Sequence, residues 1–205
     1  MTALKQVGKT EDPAQEPLTG AAARVFNAAR DLFYQRGIRA VGVDEIVCEA
    51  GVTKPSLYRN FASKDDLVVA CLEQFMKEGM EQLDATIAAA GDNPRDQLRA
   101  VIAHKAAGMT EADFRGCPMS NTAVEFPEPD SRGRAVIENC KSNFRDRLVC
   151  LCRATNAREP EALADGLLML IEGAYSMHHV FGSQGPGVTL IRAADALMEA
   201  HSRPE

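Results

Sequence analysis

"AGVTKPSLYRNFASKDDL", residues 50–67, packs a glycine turn, a proline, a run of polar and cationic side chains and a fresh helix start into one short stretch. Gly51 opens a turn, Thr53 stands where a helix wants its N-cap, and Pro55 falls in the first helical turn, where a missing N–H costs nothing. The helix so begun is about two turns long, with Leu57 and Phe61 turned inward. A helix that short is unstable alone, so neighbouring helices must hold it. Its outward face then carries Lys54, Ser56, Tyr58, Arg59 and Asn60. Ser63 caps the next helix, and Asp65 and Asp66 lie in its first turn, where the helix dipole favours negative charge.

Working outward, Val25, Phe26, Ala29, Leu32 and Phe33 recur at three- and four-residue spacing and predict a first helix that stops at Gly37. "VGVDEIVCEAG", residues 41–51, predicts a short second helix with Gly42 as N-cap, Glu45 placed to reach back to it, and Val43, Ile46, Val47 and Ala50 inward. Beyond Ser63 a long amphipathic helix runs to about Ala90, long enough to link two domains. Asn93 caps another helix with Pro94 at its first position. "EADFRGCPMSNTAVEF", residues 111–126, is broken by Gly116 and Pro118 into a kinked or two-piece helix. Helices follow over roughly 131–154 and 161–181, and "GVTLIRAADALMEAHS" closes the chain after the loop "SQGPG". No strand pattern competes. The class is all-α: a flexible polar tail over 1–18, a three-helix unit over 19–65, and a second, larger helical unit over 66–205.

A helix, a tight turn and a second helix with outward polar groups is the helix-turn-helix layout, whose second helix enters a DNA major groove. Charge agrees locally. The whole chain carries a formal net charge of −6, yet Arg24, Arg30, Arg36, Arg39, Lys54, Arg59 and Lys64 outnumber Asp31, Asp44, Glu45 and Glu49 in the N-terminal segment. Six cysteines without a C-x-x-C pair fit free thiols in a reducing compartment. The N-terminus lacks an apolar signal segment, and the densest apolar run, "LLMLI" at 167–171, is far too short to span a bilayer. These features predict a cytoplasmic protein with no membrane contact. There is no G-x-S-x-G, no phosphate loop and no metal-ligand spacing, so no enzyme and no cofactor are expected.

The run "ARVFNAARDLFYQRGIRAVGVDEIVCEAGVTKPSLYRNFASKDDLVVACL" resembles the DNA-binding domain of the tetracycline-repressor (TetR) family, through Phe33, Ile46, Ala50 to Thr53, Leu57, Tyr58, Phe61, Lys64 and Leu67. The resemblance implies a homodimeric helical repressor that binds a palindromic operator in double-stranded DNA and is released by a small-molecule effector. Carried over position by position, it implies phosphate contacts from Tyr58 and Lys64, and base or phosphate contacts from Thr53, Lys54, Pro55, Ser56, Arg59 and Asn60. Where such proteins usually carry Thr-Ser before the second helix, this chain has Val41 and Gly42, which leaves only backbone N–H groups there. Pro55 and Arg59 also depart from the commoner glycine and histidine, which predicts a different operator preference.

The segment 161–181 is apolar on nearly every face and must be buried on both sides. By the same resemblance it should form a dimer interface with the last helix, through Leu167, Leu170, Ile171, Ala174, Met177, Phe181, Ile191, Ala194 and Met198. An effector pocket is implied between the linking helix and the middle helices, with Phe75, Met76, His104, Cys117, Met119, Asn121, Phe144, Met169 and Tyr175 as candidate lining residues. His178 and His179 are adjacent and point about 100° apart on a helix, so they do not converge on a metal. Cys117, beside the helix break, is the thiol suited to sensing oxidants or electrophiles. A redox or electrophile sensor, or a helical dimer acting through protein partners, are the alternative readings.

Overall fold

The computed structural model describes residues 18, 20–126 and 131–203. All but the last residue of the predicted tail lies outside them. The described residues form nine α-helices: α1 (Gly20–Arg36), α2 (Val43–Glu49), α3 (Lys54–Asn60), α4 (Lys64–Ala89), α5 (Pro94–Gly108), α6 (Pro118–Glu125), α7 (Arg132–Ala154), α8 (Pro160–Phe181) and α9 (Leu190–Ala200). Two 3-10 turns, Gly182–Gln184 and Pro186–Thr189, fill the predicted "SQGPG" loop. None of these helices is long and apolar enough to cross a membrane.

The predicted caps recur with two differences. Ser63 accepts from the Asp66 N–H and Asn93 from the Arg95 N–H. Thr53 and Gly42 occupy the N-cap positions of α3 and α2, but the Thr53 hydroxyl makes no cap bond. Glu45 does not reach back to its cap, because it pairs with Arg36 at the end of α1. The helix capped by Asn93 is α5, and the expected two-piece helix over 111–126 resolves into an irregular stretch followed by a single short helix, α6.

Two apolar clusters hold the chain. The first gathers Val25, Phe33, Ile46, Leu57, Phe61 and Leu67 around α3, and Met119 of α6 and Ile137 of α7 join it. Leu57 is completely buried, and burying one leucine side chain contributes about 1.5–3 kcal/mol. That is how α3 survives at two turns. The second cluster joins Leu83 of α4 to α5, α7, α8 and α9 through Leu98, Ile102, Leu148, Leu167 and Ile171. α4 therefore serves both cores.

Burial corrects the expected dimer face. Leu167, Ile171, Ala174, Ala194 and Met198 are all buried within their own chain, since α8 packs on α7 along one side and on α9 and the 3-10 turns along another. Leu170 and Ile191 are half-buried. The large apolar side chains that α8 leaves in solvent are Met169, Met177, Val180 and Phe181, with Met169 69% and Val180 68% exposed; of these, Met177 and Phe181 were among the residues expected at the dimer face. Met169 was also expected in the effector pocket, and its outward direction removes it from there.

The turn after α1 is clasped from two sides. The Glu125 carboxylate, at the end of α6, accepts from the Ile38 N–H at 3.1 Å and the Arg39 N–H at 2.7 Å. The Lys64 ammonium donates to the Ile38 carbonyl at 2.5 Å. Gly37, with φ +85, makes the turn possible, and a Cβ there would lie 2.9 Å from Glu125 Oε1. Nearby, the Tyr34 hydroxyl accepts from the Arg115 N–H at 2.8 Å and donates to the Gly116 carbonyl at 3.2 Å. Glu125→Ala would leave two backbone donors to water. The expected loss is about 1–2 kcal/mol of folding stability, read as a lower urea midpoint at unchanged slope.

Candidate nucleic-acid interface and ligand cavity

α3 presents its polar residues unevenly. Thr53, Lys54, Pro55, Tyr58, Arg59 and Asn60 are exposed, whereas Ser56 is buried against the first core beside Leu57. Arg59 has no hydrogen bond or ion pair to any described residue, so its guanidinium is available for a bidentate contact to a guanine edge or to a phosphate. Tyr58, 48% exposed, offers its hydroxyl. Lys54 is committed locally: its ammonium pairs with Asp44 of α2 at 2.7 Å, and that hydrogen bond holds it above the ordinary lysine range. The Asn60 amide donates back to the Ser56 carbonyl at 2.8 Å. Lys64 is turned to the Ile38 carbonyl and lies 5.8 Å from the Phe33 ring. A phosphate contact from Lys64 therefore requires it to leave the Gly37 turn. Val41 is fully buried and Gly42 is the exposed residue at the α2 start, which fits a backbone-only contact there.

Behind this surface lie two cavities that share a wall. One, of about 330 Å³, sits at the junction of α1 and α6 and is lined by Phe33, Ile38, Asn121, Glu125 and His179 among others. The other, of about 410 Å³, runs between α4, α5, α7 and α8. Tyr34, Phe75 and Pro118 line both. Of the expected lining residues, the larger cavity gathers Phe75, Met76, Cys117, Met119, Phe144 and Tyr175. Asn121 belongs to the smaller one. His104 lines neither, and is exposed on α5 with its imidazole lowered by partial burial and by Lys105. His178 packs edge-on to Phe114 at 5.1 Å, and Phe114 in turn meets Tyr175 at 5.0 Å.

The larger cavity also contains charges that were not among the expected residues: Lys105, Lys141, Glu172 and Glu78. Their signal was present as lysines within apolar stripes. Lys141 falls between Ile137 and Phe144 on α7, and Lys105 follows Val101 and Ile102 on α5. Lys141 donates to Glu172 at 2.5 Å and to the Cys117 sulfur at 3.3 Å. Burial pulls the Lys141 ammonium down, but Cys117 and Glu172 outweigh it and leave it raised. Lys105 has no such carboxylate bond, and burial holds it below the ordinary lysine range. Burial likewise raises the Cys140 thiol and the Tyr175 phenol. The arrangement is a mainly apolar chamber with a few charged groups in its wall, the usual form of a small-molecule site.

Comparison with known proteins agrees with this geometry. The family model described as "Bacterial regulatory proteins, tetR family" matches residues 21–71. The chain is 35% identical over 113 residues to the HTH-type transcriptional activator FasR of Mycolicibacterium smegmatis, a match covering 55% of this chain but only 43% of that protein. It is 25% identical over 175 residues to the HTH-type transcriptional regulator BetI of Brucella anthropi, covering 85% of this chain and 88% of that one. Among solved structures, SCO4454, a TetR-family transcriptional regulator from Streptomyces coelicolor, superposes with a TM-score of 0.84 at 29% identity, covering 89% of this chain and 90% of that one. A buttressed two-turn helix with an exposed arginine, mounted on a helical domain of this shape, thus has matching kin at the level of sequence and of fold: the chain is a TetR-family transcriptional regulator with an N-terminal helix-turn-helix DNA-binding domain.

Proposed function

We propose that the protein is a cytoplasmic homodimeric repressor that binds a palindromic operator in double-stranded DNA and is released when a small molecule fills the larger cavity. One observation carries the release step. Tyr34 belongs to α1 of the DNA-binding domain, yet its ring is part of the cavity wall. A ligand there touches the DNA-binding domain directly. Release requires that the ligand bind the DNA-incompetent arrangement more tightly, and coupling of roughly 1–3 kcal/mol weakens operator binding several- to a hundredfold. The sign of regulation comes from the family resemblance. FasR is named an activator, so a promoter reporter read with and without the protein decides between the two signs.

A single α3 reads too few base pairs for operator-level affinity, so two copies must act about 34 Å apart along the duplex. The exposed surface of Met169, Met177, Val180 and Phe181 on α8 is the face that supports pairing. Val180→Glu is expected to convert the dimer to a monomer by sedimentation, with the helical circular-dichroism signal retained. A monomeric wild type would remove the proposal of a dimer.

Operator recognition is tested by selecting bound sequences from a random duplex pool. The expected outcome is a palindromic consensus whose affinity falls steeply with salt. Arg59→Ala should relax one position in each half-site, at a cost of about 1–3 kcal/mol in discrimination. Enrichment of no sequence at low salt would favour a protein-interaction role instead.

The Lys141–Cys117 contact supports a second reading, an electrophile-sensing regulator. In the test reaction the Cys117 thiol, which lies 3.3 Å from the Lys141 ammonium, adds across the alkene of N-ethylmaleimide: the S–H bond breaks, a C–S bond forms to one alkene carbon, and the thiol proton ends on the other. Under this reading N-ethylmaleimide weakens operator binding, and Cys117→Ser abolishes that response while leaving untreated affinity intact.

A further inference from the structure

The polar groups of the larger cavity are not evenly matched. Glu78 is held by both Arg30 nitrogens, at 2.9 and 2.6 Å, and accepts from Gln74 at 2.7 Å. Glu172 accepts from Lys141 on one oxygen and from the Ser120 hydroxyl at 2.6 Å on the other. Both carboxylates in the wall are therefore committed to partners outside any ligand. Lys105 is the remainder: its ammonium has no hydrogen bond or ion pair to a described residue, and it lies 5.1 Å from the centroid of the Phe144 ring. A cation in a chamber lined by Phe75, Met76, Met80, Phe144 and Ile171 is costly unless something neutralises it.

We infer that the effector is an amphipathic organic anion, whose negatively charged head sits on Lys105 and whose apolar body lies along Phe75, Met76, Met80 and Ile171. This deepens the ligand-release reading and rests on it for its regulatory consequence, though not for binding itself. The lowered basicity of Lys105 supports it, because burial penalises the charge and an anion would restore it. Cys117, Lys141, Cys140 and Glu172 act on Lys105, and the adjacent His104 is itself lowered by burial and by Lys105, so Lys141 is the second positive charge in this group. A neutral ligand would leave the ammonium unmatched, and a cationic one would add to it. The volume of about 410 Å³ lies at the small end of the ~300–1,000 Å³ typical of drug-sized ligand sites, which favours a compact ligand.

The test compares three eight-carbon probes of the same shape, octanoate, 1-octanol and octylamine, by calorimetry on the full chain, with operator affinity measured alongside. Octanoate is expected to bind saturably and octylamine not at all. Lys105→Met should weaken octanoate about ten- to a hundredfold, as loss of a charge-assisted contact predicts. The same variant should bind 1-octanol at least as well as the wild type does. Because the substitution removes a buried charge with no carboxylate partner, its thermal midpoint should hold or rise, and its operator affinity should be unchanged. Equal binding of octanoate and 1-octanol, indifference of octanoate to Lys105→Met, preference for octylamine, or binding of none of the three would each overturn the inference. Lys105-dependent octanoate binding that leaves operator affinity unmoved would keep the anion site and overturn ligand release.

Discussion

The clasp on the turn after α1 is the constraint on which the rest depends. Glu125 ends α6 with its carboxylate on two backbone N–H groups of residues 38 and 39, while Lys64 holds the carbonyl of Ile38 from the start of α4. This turn delivers the chain into α2 and thence to α3. Its position therefore sets where Arg59 and Tyr58 point. Backbone groups at a turn need partners wherever water is kept away, and here the partners come from the two helices that the regulatory half also uses. The DNA-binding domain is positioned by the same elements that line the cavities behind it.

That sharing explains why Gly37 must be glycine. The residue adopts a left-handed conformation, and a side chain would intrude on the carboxylate that completes the clasp. It also gives Tyr34 two roles at once. Its hydroxyl is fixed between the Arg115 N–H and the Gly116 carbonyl, and its ring divides the two cavities. Burial raises the Tyr34 phenol despite the Arg115 bond, so it stays a neutral hydroxyl that can both donate and accept. Tyr34 thereby ties α1 to the stretch leading into α6.

Local signals wrote the N-terminal half clearly. Gly51, the Thr53–Pro55 helix start, Leu57 and Phe61 are decisions made within a few residues, and α3 occupies the place that they predict. The dimer and cavity residues were harder because they depend on which neighbour covers which face. A helix apolar all round, such as α8, cannot reveal from its own sequence that Leu167 and Ile171 go inward while Met169 and Val180 stay out. Only the packing of α7 and α9 decides that. The charged lining of the cavity was legible in principle, since Lys105 and Lys141 interrupt apolar stripes. Yet a lysine can also extend its apolar stem along a core and place its charge in water, and the sequence does not distinguish the two outcomes.

The arrangement also bounds how strongly a ligand could act. Under the proposed ligand release, the contacts that join the cavity walls to the DNA-binding domain run through Tyr34, through α6 and Glu125, and through α4, each contributing bonds worth about 1 kcal/mol or a little more. A rigid tie of this size suits the roughly 1–3 kcal/mol of coupling usual for allosteric proteins. A much weaker tie would let α3 move independently of the cavity, and a much stronger one would hold α1 in place whatever the cavity contained. Three modest links in parallel transmit a displacement while remaining breakable. Ligand release requires the two halves to be joined firmly enough to share a state and loosely enough to change it, and links of this number and strength meet both requirements.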